Sequence, residues 1–190
     1  MIWLRGWLLT SSILVFSLGA HAGVAGTLFG TYISDDFSQT AATSDSKQLY
    51  GGLLLASVTA KDTFHIGWAY TSINATSTKS SVTDTFASTD MGPAFAYWFG
   101  KNRILNISGA YNVVSNSTFQ QGSTATKEWT GTSYWVAVGA DLEWMKNLHL
   151  GGRIIYYSTS ITDQKIGSAA TSVSVGRTWV MPMLTITYRP

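Results

Sequence analysis

The sequence predicts an all-β chain, an eight-stranded antiparallel up-and-down transmembrane β-barrel, and three observations predict it. Stretches of about ten residues alternate large apolar and small polar side chains with a period of two, the period of a strand. Charged residues make up only 12% of the 190 residues, about half the rough 25% of soluble proteins, yet no run of about 18 apolar residues follows the N-terminus. The connections between the alternating stretches run long, short, long, short along the chain. Such a chain is too poor in charge for a sheet bathed in water, and it has no helix that crosses a membrane.

The clearest element is the hairpin at 132–157. Tyr134, Val136, Val138, Ala140, Leu142 and Trp144 share one face of its first arm, against Ser133, Trp135, Ala137, Gly139, Asp141 and Glu143. After Met145-Lys146-Asn147, Leu148, Leu150, Gly152, Ile154 and Tyr156 oppose His149, Gly151, Arg153, Ile155 and Tyr157. Arms of about 9 to 11 residues, aromatic near the ends and aliphatic between, match a tilted strand crossing a bilayer.

At the N-terminus, Arg5, the apolar stretch 8–18 and Ala20-His21-Ala22 have the order of a signal peptide covering 1–22, which leaves 23–190 as one barrel domain. Residues 24–33 are the first strand, and 34–47, rich in Ser, Thr, Asp and Ala, read as a mobile polar loop. The second strand is 48–58, and Ala60-Lys61-Asp62 is a turn. In the third, Phe64, Ile66, Trp68 and Tyr70 oppose Thr63, His65, Gly67, Ala69 and Thr71.

Residues 74–85 read as a second polar loop. Met91, Pro93, Phe95, Tyr97 and Phe99 then face away from Gly92, Ala94, Ala96 and Trp98 in the fourth strand. The turn Gly100-Lys101-Asn102-Arg103 leads to the fifth, with Leu105, Ile107, Tyr111 and Val113 on one face. The loops 116–131 and 161–170 flank the 132–157 hairpin, and Val180, Pro182, Leu184, Ile186 and Tyr188 line one face of the last strand. Pro93 and Pro182 each remove a ladder hydrogen bond, so a bulge or a strand end is expected at each.

Solvent assigns the faces. An Arg or Lys on a lipid-facing position near the midplane costs roughly 2 to 4 kcal/mol, and the apolar faces carry none. The opposite faces therefore point inward, with Gly, Ala, Ser, Thr and Asn filling a packed polar interior. His65, Asp141, Glu143, His149, Arg153 and Arg177 share that inward parity and form one candidate polar cluster. As an ionic plug it is required to be internally paired, because an unpaired buried charge costs several kcal/mol; the rival reading is a gate or proton-linked site.

The same architecture resembles the small eight-stranded outer-membrane barrels of Gram-negative bacteria, the opacity-protein and outer-membrane-protein A, X and W types. The alternating end Leu184-Thr185-Ile186-Thr187-Tyr188 is similar to the C-terminal assembly signal of that family, although Arg189-Pro190 follow where the family ends on an aromatic residue. The resemblance implies placement in the outer membrane, contact with its lipid and lipopolysaccharide, and insertion by the barrel-assembly machinery. It also implies a structural or surface-interaction, adhesin-like role, with host or envelope proteins as partners of the loops.

Rival functions leave recognisable marks. The lipid A deacylases of this architecture carry His-x-Ser on a strand, whereas His65-Ile66-Gly67 and His149-Leu150-Gly151 lack the Ser. No catalytic residue, cofactor or metal is expected: there is no Cys, and His21, His65 and His149 are scattered. With a net charge of +2 and no basic cluster, nucleic acid is not expected as a partner. A narrow conduit for small apolar or weakly polar solutes is the main alternative role, a lipid-modifying enzyme the second. A soluble lipocalin-like barrel would need a charged exterior, which the composition opposes. Phe119 and Trp129, in the longest polar stretch, read as exposed loop aromatics.

Overall fold

The computed structural model describes residues 23–37, 43–59 and 61–190. The signal-peptide expectation for 1–22 lies outside those residues, as do 38–42 and Ala60. Among the described residues no helix is long and apolar enough to cross a membrane. Eight antiparallel strands form a closed up-and-down ring in chain order: β1 (Val24–Phe37), β2 (Thr43–Ser57), β3 (Phe64–Lys79), β4 (Val82–Phe99), β5 (Leu105–Gln121), β6 (Lys127–Met145), β7 (Leu148–Ile166) and β8 (Ala169–Tyr188). Both described termini lie at one end of the tube, the near end; the hairpins β3–β4, β5–β6 and β7–β8 close at the far end.

The strands are longer than their apolar stretches suggested, up to 20 residues in β8. Three stretches read as loops are strand: 74–85, 116–131 and 161–170 fold mostly into the far halves of hairpins. Ser80 and Ser81 alone connect β3 to β4, with φ of 51° and 68°, the left-handed pair of a two-residue hairpin turn. Most of 34–47 likewise pairs, with Ser34 opposite Ser46 and Phe37 opposite Thr43. Composition misled because Thr and Ser at alternate positions do extend a ladder, Thr being a good strand residue.

Parity assigns the faces as expected. Trp68, Tyr97 and Leu150 are exposed on the outside while His65, Ala96 and His149 are buried inside. The expectation of a packed polar interior needs correcting. Phe29, Leu49, Leu55, Trp98, Trp135, Ile155, Tyr157 and Met181 fill the tube alongside the polar groups, because the Gly and Ala positions opposite them leave room for large side chains. Phe29 meets Trp135 edge-on at 5.5 Å.

The two prolines behave differently, and backbone polarity explains both. The Trp98 amide donates to Thr63 O at 2.8 Å, so even-numbered β4 residues bond toward β3 and odd-numbered ones toward β5. Pro93 therefore lacks its N–H on the β5 side, and there the β4–β5 register shifts between Met91 and Ala94. The extra residue lies on β5, whose consecutive Val113 and Val114 both face out. In β8 the Arg189 amide donates to Asn147 O at 2.8 Å, so even-numbered residues, Pro182 included, face β1.

The β1–β8 seam has only five pairs, from Gly26 with Tyr188 to Gly30 with Leu184. The next bond would need the N–H that Pro182 does not have. Pro182 is thus the end of a ladder with one neighbour while its register with Ile154 on β7 is unbroken.

Candidate functional site: the polar lumen

The near half of the lumen is built around Asp141 on β6 and Arg153 on β7. Their strands pair so that Arg153 lies opposite Gly139, and Asp141 opposite Gly151. Those glycines are required: a Cβ at Gly139 would run into the Arg153 stem, and one at Gly151 into the Asp141 carboxylate. Asp141 Oδ2 accepts from Arg153 Nη2 at 2.8 Å and from Trp98 Nε1 at 3.1 Å, and its Oδ1 accepts from Thr185 at 3.0 Å. Arg153 also donates to Ser108 Oγ at 3.0 Å and Thr187 Oγ1 at 3.3 Å, and Thr187 meets Thr27 Oγ1 at 3.1 Å. The carboxylate thus has three donors and the guanidinium three acceptors through its two terminal nitrogens, with only the buried Arg153 Nε left unpartnered, so the pair is largely satisfied from within the lumen.

Below this pair Arg189, the residue just after β8, turns inward and is buried. Its guanidinium stands over Trp98 at 5.2 Å, reaches His149 Nε2 at 3.0 Å and donates to Arg103 O at 3.2 Å. Burial first, and the neighbouring Arg103 charge second, hold its pKa below the ordinary guanidinium value. His65 packs edge-on against Trp98 at 4.9 Å, and both its ring nitrogens lack a partner.

Of the six residues expected in one cluster, the fold gathers four at the near half: Asp141 and Arg153 directly, His149 through Arg189, and His65 through Trp98. Glu143 stands at the rim of this group rather than inside it: it lies cross-strand from His149 but is exposed near the β6–β7 turn, where it accepts from the Asn147 amide at 3.4 Å. Arg177 is not among them either. It pairs with Thr159, six residues along β7 from Arg153, about 20 Å of strand. Inward parity selected the right face, but a face runs the whole height of a tube, and parity carries no information about height.

At the far end Arg177 sits over Phe86 at 4.6 Å, Phe119 at 5.0 Å and Trp129 at 5.8 Å. Phe119 and Trp129 stack at 5.0 Å, and Trp129 Nε1 donates to Gln164 Oε1 at 2.9 Å. These two rings are therefore not exposed loop aromatics: Trp129 is buried and Phe119 partly so, beneath a cation, an arrangement worth up to about 2 kcal/mol when desolvated.

Sequence reasoning did not single out the layer between, around Asp90. This side chain is fully buried, accepting from Ser88 Oγ at 2.7 Å and from the Tyr157 hydroxyl at 2.5 Å. Its even parity on β4, shared with Trp98, was the available signal.

No protein-family model matches the chain, and no curated protein matches it in sequence. Among solved structures it is similar to Neisserial surface protein A, at 12% identity and TM-score 0.47 over 88% of this chain and 97% of that one. It is also similar to the outer membrane protein AlkL, at 12% identity and TM-score 0.40 over 89% and 90%. The third is the translocator domain of the autotransporter NalP from Neisseria meningitidis, at 12% identity and TM-score 0.37 over 95% of this chain and 65% of that domain.

Proposed function

We propose that the chain is an integral outer-membrane β-barrel whose role is structural or surface-interactive, exercised through the hairpins of its far end. One observation carries the membrane placement. Over 24–32, 50–56, 64–72, 91–99, 105–113, 134–144, 148–158 and 178–188, no outward-facing position holds an Asp, Glu, Lys, Arg or His, and large apolar side chains dominate. In water this belt would be an exposed apolar surface on every side of the molecule, far beyond the few hundred Å² a soluble monomer tolerates. In a bilayer the same belt faces hydrocarbon, and ring closure keeps most backbone groups bonded where water is absent.

The belt hugs the near end. A 19-residue strand such as β7 is about 60 Å long and, tilted about 45°, stands well above an apolar band of about 25 Å. The Ser- and Thr-rich hairpins of the far end project beyond it. That side is read as the cell exterior, and the tight turns of the near end as periplasmic.

The filled lumen favours this role over a conduit, since Trp135, Ile155, Leu49 and Phe29 occupy the tube at mid-height. It also favours a role without catalysis. His65 has no hydrogen-bond partner on either ring nitrogen, and the Nε2 of His149 is taken by Arg189 rather than by a hydroxyl.

Placement is testable because the chain has no native Cys. A membrane-impermeant maleimide should label Ser80→Cys on intact cells and should label Asn102→Cys only after the outer membrane is opened. Labelling of both on intact cells, or recovery of the protein in the periplasm without detergent, rejects the placement. The surface role is tested by binding of expressing cells to host-cell layers, with the β3–β4 hairpin replaced by a two-residue turn nearer the belt; unchanged binding removes that hairpin from the role.

A further inference from the structure

We propose that the lumen holds one small monovalent cation at Asp90, ligated by oxygens of β4, β5 and β7. Among the described residues Asp90 has no ion-pair partner: Arg153 is committed to Asp141, and Lys165 to Glu128. A fully buried carboxylate with no counter-charge is costly. The hydrogen-bonded groups around it are uncharged hydroxyls and one side-chain amide. Ser88 and Tyr157 donate to its two oxygens, Ser117 Oγ donates to Ser88 Oγ at 3.0 Å, and Asn112 Nδ2 donates to Ser133 Oγ at 2.8 Å.

Two oxygens in this layer are left over. Asn112 Oδ1 and Ser115 Oγ are buried and have no partner, in side chains 0% and 2% exposed. Ser115 is the cross-strand partner of Asp90, and Asn112 is the partner of Ser133. Residues three apart on a regular strand point to opposite faces. Here the β5 bulge sends Val113 and Val114 both outward, so Asn112 and Ser115 both point in. A bulge that re-aims a side chain in this way is a recurrent device beside functional sites.

One carboxylate, an amide carbonyl and hydroxyls make a hard, all-oxygen set with a single negative charge. That charge matches an alkali cation; a divalent ion would remain half-neutralised. The cation supplies both what Asp90 lacks, a counter-charge, and what Asn112 and Ser115 lack, a partner.

The test uses the full chain folded in lipid bilayers, titrated with sodium chloride and separately with potassium chloride, with N-methylglucamine chloride holding ionic strength constant. The amide resonances of Ser88, Asp90, Asn112 and Ser115 are expected to shift saturably with one of the alkali ions. Asp90→Asn should abolish the shift, Ser115→Ala should weaken the midpoint by about tenfold, equivalent to about 1.4 kcal/mol, and Glu143→Gln at the near-end rim should leave it unchanged. Should Asp90→Asn not fold, Ser115→Ala alone carries the comparison. The proposal fails if no shift saturates, if the shift survives Asp90→Asn, or if the same resonances respond only to pH, which would make the ligand a proton. Membrane placement does not enter this readout, so labelling and titration fail independently.

Discussion

The Arg153 guanidinium and the Asp141 carboxylate lie 2.8 Å apart with both side chains closed to solvent. Desolvating two charges is offset here by the surrounding bonds from Trp98, Thr185, Ser108 and Thr187 rather than by the pair alone. Removing one partner should therefore cost more than removing both. Arg153→Met is expected to destabilise by about 3 to 5 kcal/mol, and Arg153→Met with Asp141→Leu to recover most of that loss. Urea unfolding in lipid vesicles measures both; equal losses in single and double variants would contradict the coupling.

Val138 lies outward in the middle of the belt and Ser174 outward in the far half of β8. Val138→Arg should cost about 2 to 4 kcal/mol in a bilayer, falling to about 0 to 1 kcal/mol for Ser174→Arg. Folding yield and unfolding midpoints in vesicles decide this. A belt that tolerates Arg at Val138 does not face lipid.

Pro182 ends the β1–β8 ladder only because its nitrogen carries no hydrogen. Pro182→Ala restores a donor opposite Tyr32 and is expected to gain about 1 kcal/mol if the seam zips further. Amide exchange at Tyr32 should slow accordingly. Pro93→Ala should show no comparable gain, because the extra β5 residue shifts that register on its own. Equal gains from both substitutions would refute this reading of the two positions.

The far-end connections are hairpins rather than loops, and this changes what a protease meets. Lys79 adjoins a two-residue turn, and Lys127 opens β6 with its ammonium 5.8 Å from the Phe119 ring. Trypsin needs a locally unfolded segment, so both sites should resist cleavage on intact cells. A flexible Gly-Ser insertion between Ser80 and Ser81 should make Lys79 sensitive while Lys127 stays protected. Rapid cleavage of the native chain at Lys79 would favour the mobile loop that composition suggested.

The sequence by itself determined the strand count, the closed antiparallel order and the faces of the belt residues in β3 to β8, whereas the weak alternation of β1 and the Leu53-Leu54-Leu55 run of β2 left theirs open. A period-two alternation with Trp68, Tyr97 and Leu150 on one side and His65, Trp98 and Arg153 on the other permits one orientation once the solvent outside is apolar. The fold decided what a local pattern does not encode. Height along the tube separates Arg177 from Arg153; a one-residue bulge turns Ser115 toward Asp90 against its parity; and the missing hydrogen of Pro182 acts on β1, more than a hundred residues away in the chain. Alternation fixes direction from nearest neighbours, whereas register, and with it every contact across the lumen, is set only when eight strands close on one another.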